Sequence, residues 1–114
     1  MRMIERRMLA AIHERKDWRD SNTEVQCVSL PACNIDKVFV RLHGHTIAMI
    51  TPTDVDVCDC GWQTPTTKSR LNAILRELCG AGIYQRNHKW FAYAEGEKDW
   101  EIERGSRQLF YRGE

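Results

Sequence analysis

Residues 37–50 hold two apolar-patterned runs joined by His43-Gly44, and so short a connection can join only neighbouring antiparallel strands. Val38, Val40 and Leu42 alternate on one face of the first run. Gly44 supplies the positive φ that such a turn needs at low steric cost. The simplest register sets Leu42 against His45, Val40 against Ile47 and Val38 against Met49, so that apolar side chains meet across the strands. A second hairpin is expected over 82–94, turning at Asn87-His88, from the strand-forming Ile83, Tyr84, Trp90, Phe91 and Tyr93. Two such local hairpins point to antiparallel sheet and away from the alternating strand–helix order of a parallel one.

The remaining segments supply two helices and shorter strands. Ile4, Met8 and Ile12 recur every four residues, with Leu9 and Ala11 widening the stripe, which predicts an amphipathic helix over 2–16. The polar run from Asp17 to Thr23 breaks it. A strand follows over 23–30, with Val25, Cys27 and Leu30 as the inward residues and Pro31 as its end. Residues 54–60 read as another strand, Val55 and Val57 inward, and Asp54, Asp56 and Asp59 outside or at its end. Leu71, Ile74, Leu75 and Leu78 predict a second helix over 66–79. Thr66 or Thr67 is its expected cap, Pro65 sits just outside or at its first position, and Gly80 and Gly82 stop it. Residues 95–106 read as an acidic loop around Trp100, and 107–112 as a last strand through Leu109 and Tyr111. The fold class is therefore α+β: a small antiparallel sheet built from hairpins, with an N-terminal helix and a second helix packed on it.

A chain of 114 residues fits one domain. Its expected parts are a helix and connector over 1–19, a core sheet and helix over 22–94, and the acidic loop and last strand over 95–114. The formal net charge is +1, so no global field pulls the chain toward nucleic acid or membrane. Its distribution is uneven: residues 1–19 carry six basic and three acidic side chains, 68–89 five and one, and 95–103 one and five. No run approaches the ~20 apolar residues of a membrane span. The first 18 residues are broken by Arg2, Glu5, Arg6, Arg7, Glu14 and Arg15, unlike the apolar centre of a signal peptide. Five cysteines, an odd number, suit reduced thiols better than a disulfide framework.

Those cysteines raise the question of metal. Cys58-x-Cys60, with His43 and His45 on a neighbouring turn, is the nearest approach to a ligand set. One intervening residue does not match the paired spacings of a structural zinc site. Small half-buried thiols are the simpler expectation. No metal or cofactor is therefore expected. No nucleophile elbow surrounds a cysteine, no glycine-rich phosphate loop is present, and the Asp54-Val-Asp56-Val alternation is what the wet side of a strand looks like. The chain is not expected to be an enzyme.

The start of the second helix is the most informative stretch. A helix N-terminus favours acids, yet Lys68 and Arg70 occupy its first turns and no acid does. Thr66, Thr67, Lys68, Ser69 and Arg70 would form a cradle for an anion or phosphate. Lys68, Asn72 and Arg76 would share one exposed ridge, and Arg86 and Lys89, with His88, would extend it at the hairpin turn. Tyr84, Trp90 and Phe91 lie near enough in sequence to stack on bases. A helix followed by a hairpin is also the order of a winged-helix reader, but the strands before it weaken that analogy. Trp62 and Trp90 are expected in the core, and Trp100, between Asp99 and Glu101, is the expected partner contact.

Four pieces of this pattern occur together: Asn22-Thr23-x-Val25; Leu42-His43-Gly44-x-x-Ile47-Ala48; Gly61-Trp62-x-Thr64-x-Thr66-Thr67-Lys68-x-Arg70-Leu71-Asn72-Ala73; and Tyr84-Gln85-x-x-x-x-Trp90. Together they resemble a group of small accessory proteins of tailed bacteriophages, over about residues 22–91, with the Gly-Trp to Leu-Asn stretch the specific part. Cys58 and Cys60 depart from that pattern, and the first helix and acidic C-terminal part look like additions to it. The resemblance implies a phage gene product acting in the host bacterial cytoplasm. It carries over no catalytic residue.

Three functions follow as expectations. The first is a non-enzymatic protein that binds and inhibits or modulates a host or phage protein. The second is a DNA- or RNA-binding module using the helix start and the 86–89 turn. The third is an enzyme or metalloprotein on Cys58, Cys60, His43 and His45. The chain is expected to be a monomer or a homodimer. Its first helix would cover its own sheet or, as the weaker option, pair two copies through Ile4, Met8 and Ile12.

Overall fold

Both tight turns form where positive backbone angles are tolerated: His43 and Gly44 take φ of 52° and 80°, and Asn87 and His88 take 52° and 65°. The computed structural model describes residues 2–113. Its elements run α1 (Met3–Glu14), β1 (Trp18–Asp20), β2 (Thr23–Leu30), a 3-10 turn at Pro31–Cys33, β3 (Ile35–Leu42), β4 (His45–Ile50), β5 (Asp54–Cys58), α2 (Pro65–Cys79), β6 (Gly82–Arg86), β7 (Lys89–Tyr93), β8 (Trp100–Ile102) and β9 (Arg107–Tyr111). Among the described residues the strands form two antiparallel sheets, not one. The larger has the order β1-β2-β3-β4-β5-β9, and the smaller β6-β7-β8. The chain leaves the large sheet after β5, builds α2 and the small sheet, then returns to lay β9 beside β5.

The core lies between the inner face of the large sheet, the two helices and the small sheet. Val25, Val38, Val40, Ile50, Val55, Val57 and Phe110 come from the large sheet. Met8 and Ile12 come from α1, Leu71, Ile74 and Leu75 from α2, and Ile83, Trp90, Ala92 and Ile102 from the small sheet. Burying such branched and aromatic side chains contributes about 1.5–3 kcal/mol each before entropy is counted. The helix α1 thus covers its own sheet.

Several local expectations are corrected. In the β3–β4 hairpin Leu42 does pair with His45, but Val40 pairs with Ala48 and Val38 with Ile50, because a bulge falls between Val40 and Arg41. Ile47 is the extra residue, and the bulge lets Ile47 and Ala48 both bury, at 2% and 1% exposure. Leu30, at the end of β2 opposite Ile35, is exposed. In β9 the inward residue is Phe110, while Leu109 and Tyr111 face solvent. Three consecutive apolar residues there give no alternation to read. Trp100 is in a strand, β8, rather than a loop. The cap of α2 is Thr64, whose Oγ1 accepts from the Thr67 N–H at 3.1 Å, and Pro65 takes the first helical position. Gly80 closes the helix with φ 60°.

Candidate functional site

The cations expected to form an anion cradle do not converge. Arg70 turns inward: its Nη1 donates to Glu5 Oε2 of α1 at 2.7 Å and its Nε to Thr23 Oγ1 at 3.1 Å. Ser69 donates to the same Glu5 oxygen at 2.5 Å, and Thr23 donates to Asn22 Oδ1 at 2.8 Å. Both charged side chains are only 4% exposed. Burial alone would raise the Glu5 carboxyl pKa, but the hydrogen bonds from Ser69 and Arg70 and the guanidinium charge outweigh it and hold the pKa below its ordinary value. Thr67 is buried and shares a hydrogen bond with Thr64, with 3.0 Å between their hydroxyls. Asn72 donates to the Ile83 carbonyl at 2.8 Å and accepts from the Ile83 N–H at 2.6 Å.

Thr67, Ser69, Arg70 and Asn72 are therefore corrected from anion-binding groups to internal struts. The partner of Arg70 lies far away in sequence, on a face of α1 that the apolar stripe made look purely hydrophobic. Thr66 and Lys68 remain half-buried at the surface, and Arg76, Arg86 and Lys89 are exposed. Lys89 lies 3.9 Å from Glu101. Among the described residues no carboxylate comes within ion-pair distance of Lys68, Arg76 or Arg86.

The tryptophans exchange roles. Trp90 is in the core, as expected. Trp100 is half-buried, its indole N–H donating to Gln108 at 2.9 Å and its ring 5.6 Å from Phe110. Trp62, expected inside, is 59% exposed. It stands on the rim of a cleft of about 370 Å³ between the β3–β4 turn, the loop after β5 and the start of α2. Leu42 and Ile47 supply apolar wall, His45 lies 6.4 Å from the Trp62 ring, and Thr64 and Thr66 line the helix side. The bulge at Ile47 is what turns its side chain toward this cleft.

One buried acid holds the loop that carries Trp62. Asp59, placed outside or at the strand end by the alternation of its neighbours, is 3% exposed. Its Oδ1 accepts from the backbone N–H groups of Gly61 at 2.8 Å and Gly105 at 2.7 Å, and its Oδ2 from Gln63 at 3.1 Å. Gln63 also reaches the Ile102 carbonyl at 3.3 Å. The carboxylate thus ties the Trp62 loop to the turn between β8 and β9. A charged group seated on several donors is a positioning device, and its bonds are among the stronger kind. The chance of a D-x-G turn before Trp62 was visible in the sequence, but its second glycine, at 105, was not.

The flanking Cys60 thiol is protonated. Burial, then the neighbouring Cys58 thiol and Asp59, push Cys60 up to about 11. Cys60 donates to the Thr46 carbonyl at 3.1 Å, and its N–H donates to Cys58 Sγ at 3.2 Å. His43 and His45 are exposed on the turn. Among the described residues no three or more His, Cys, Asp or Glu side chains gather as a metal would require.

Fold and site together define a small α+β protein with two antiparallel sheets, an internal ion pair joining its helices and an open apolar cleft at one sheet end. Over residues 1–112 the chain matches the family described as Kyanoviridae Gp96 protein, and it belongs to that family. It is thus a bacteriophage protein, as the resemblance implied. The match takes in both α1 and the acidic segment. No curated protein and no solved structure matches the chain. Among the described residues no helix is long and apolar enough to cross a membrane.

Proposed function

We propose that this phage protein is a non-enzymatic binding protein that docks on a host or phage protein in the host cytoplasm and inhibits or modulates it. The exposed Trp62 ring carries this reading. Tryptophan is the side chain most often found at the energetic centre of protein interfaces, and leaving its ring in water forgoes a large apolar burial. Trp62 also stands beside a preformed apolar cleft on a loop fixed by Asp59, so little ordering remains to oppose association. At the cleft Asp59, Cys60 and Thr64 are engaged with the chain's own backbone, whereas the exposed imidazoles of His43 and His45 face outward and can meet a partner.

Affinity capture from infected cells, with the wild type beside Trp62→Ala, tests it. A partner retained by the wild type and lost by a folded Trp62→Ala supports the reading. Equal recovery with both proteins, or no stable partner, removes it.

A nucleic-acid role has one observation in its favour. Tyr84 and Phe91 stack with ring centroids 5.6 Å apart on the outward face of the small sheet, beside the exposed Arg86. Asp99, which accepts from the Tyr84 hydroxyl at 2.8 Å, and Glu101, beside Lys89, bring negative charge to the same face. That charge opposes phosphate, so protein binding remains the favoured reading. Titration of single- and double-stranded DNA at two salt concentrations separates them: binding that weakens with salt and is lost in Arg86→Ala would favour the second reading.

A further inference from the structure

Sheet edges expose unpaired backbone groups and are usually short, covered or interrupted. Three of the four edges here are treated in that way. At one side of the large sheet, β1 has only three residues. In the small sheet β8 is equally short, and Asn72 occupies the edge of β6 by bonding both backbone groups of Ile83. The fourth edge, β9, is five residues long, with no proline, lysine or bulge.

The direction of its unused groups follows from the register. Arg112 N–H donates to the Thr53 carbonyl at 2.9 Å, so residue 112 faces β5. Antiparallel bonding alternates, so Phe110 and Gln108 also face β5. The N–H and C=O groups of Arg107, Leu109 and Tyr111 then point away from the sheet. The same three residues are exposed, Leu109 at 52% and Tyr111 at 72%.

We propose that β9 pairs antiparallel with β9 of a second copy, joining the two large sheets across a two-fold axis at Leu109. This register alone sets all three outward-facing residues against outward-facing residues: Leu109 against Leu109 of the other copy, and Arg107 against Tyr111. It is complementary in its side chains. Apolar meets apolar at the axis, and each Arg107, its guanidinium held by Asp56 on its own β5, lies opposite a tyrosine that has Asp54 as its cross-strand neighbour. A foreign strand would meet the same backbone groups, but only a second copy is bound to present this matching order.

Light scattering coupled to size exclusion, from about 1 µM to about 1 mM, tests the pairing. The wild type is expected to reach twice its 13.3 kDa as concentration rises. Leu109→Lys and Leu109→Asp place like charges at the axis and are each expected to weaken the dimer about tenfold or more. Their far-ultraviolet circular dichroism should stay that of the wild type. Mixing the two variants is expected to restore a heterodimer. A wild type that stays at 13.3 kDa throughout, or a folded Leu109→Lys that dimerises as well as wild type, overturns the proposal.

Discussion

Glu5 and Arg70 meet 2.7 Å apart in the interior, one from each helix, at 4% side-chain exposure. This pair decides how α1 sits on α2, and it consumes the cation that would otherwise have faced an anion. An ion pair out of water is worth little in net stability when complete, but breaking it strands a charge.

Removing one partner should therefore cost far more than removing both. Glu5→Gln and Arg70→Met are each expected to lower unfolding stability by about 3–5 kcal/mol, while Glu5→Leu with Arg70→Met should lose much less than the sum. Urea midpoints of the single and double variants check this. Equal, additive losses would contradict a coupled pair.

The same carboxyl makes stability depend on acid. Its folded pKa lies below the ordinary 4.5, so the unfolded chain binds the proton more readily. The stabilisation is complete above about 4.5 and is lost as pH falls through the lower folded value. Denaturation midpoints measured downward from neutral pH should fall in that window, and the fall should be shallower in Glu5→Gln.

Asn72 imitates a strand at the β6 edge. Asn72→Ala leaves the Ile83 N–H and C=O without their protein partner and is expected to cost about 1–3 kcal/mol. The Ile83 amide should then exchange with deuterium faster, with the change centred on β6. Uniformly faster exchange over both sheets would instead indicate a global effect.

Thiol labelling should separate the cysteines. Cys33 is exposed, whereas burial first of all pushes Cys79 up to about 11, as it does Cys60. Alkylation at pH 8 followed by mass spectrometry should find Cys33 modified first and Cys60 and Cys79 last, because the thiolate is the reacting form. Rates at Cys60 and Cys79 should keep rising as the pH approaches 11.

What could be read from the sequence was local. The turns at His43-Gly44 and Asn87-His88 and the stop at Gly80 follow from backbone angles that few residues tolerate, and α2 from its own spacing. What could not be read was non-local. Glu5 interrupts an apolar stripe for the sake of an arginine on another helix, Asp59 is buried because Gly105 donates to it, and the facing of β9 depends on where β5 lies. The fate of the tryptophans has the same origin. Trp100 found an acceptor in Gln108 on β9 of the other sheet, while the loop that Asp59 ties down holds Trp62 at the surface.

The bulge in the first hairpin links chain length to surface shape. Ile47 is at once the surplus residue of its ladder and part of the cleft wall beneath Trp62. Swapping it for another bulky aliphatic would preserve both features, whereas deleting it would close the ladder into an ordinary pairing and leave the hollow without that side. The shape of the cleft is therefore written partly as an insertion, a kind of information that comparison of residue types alone passes over.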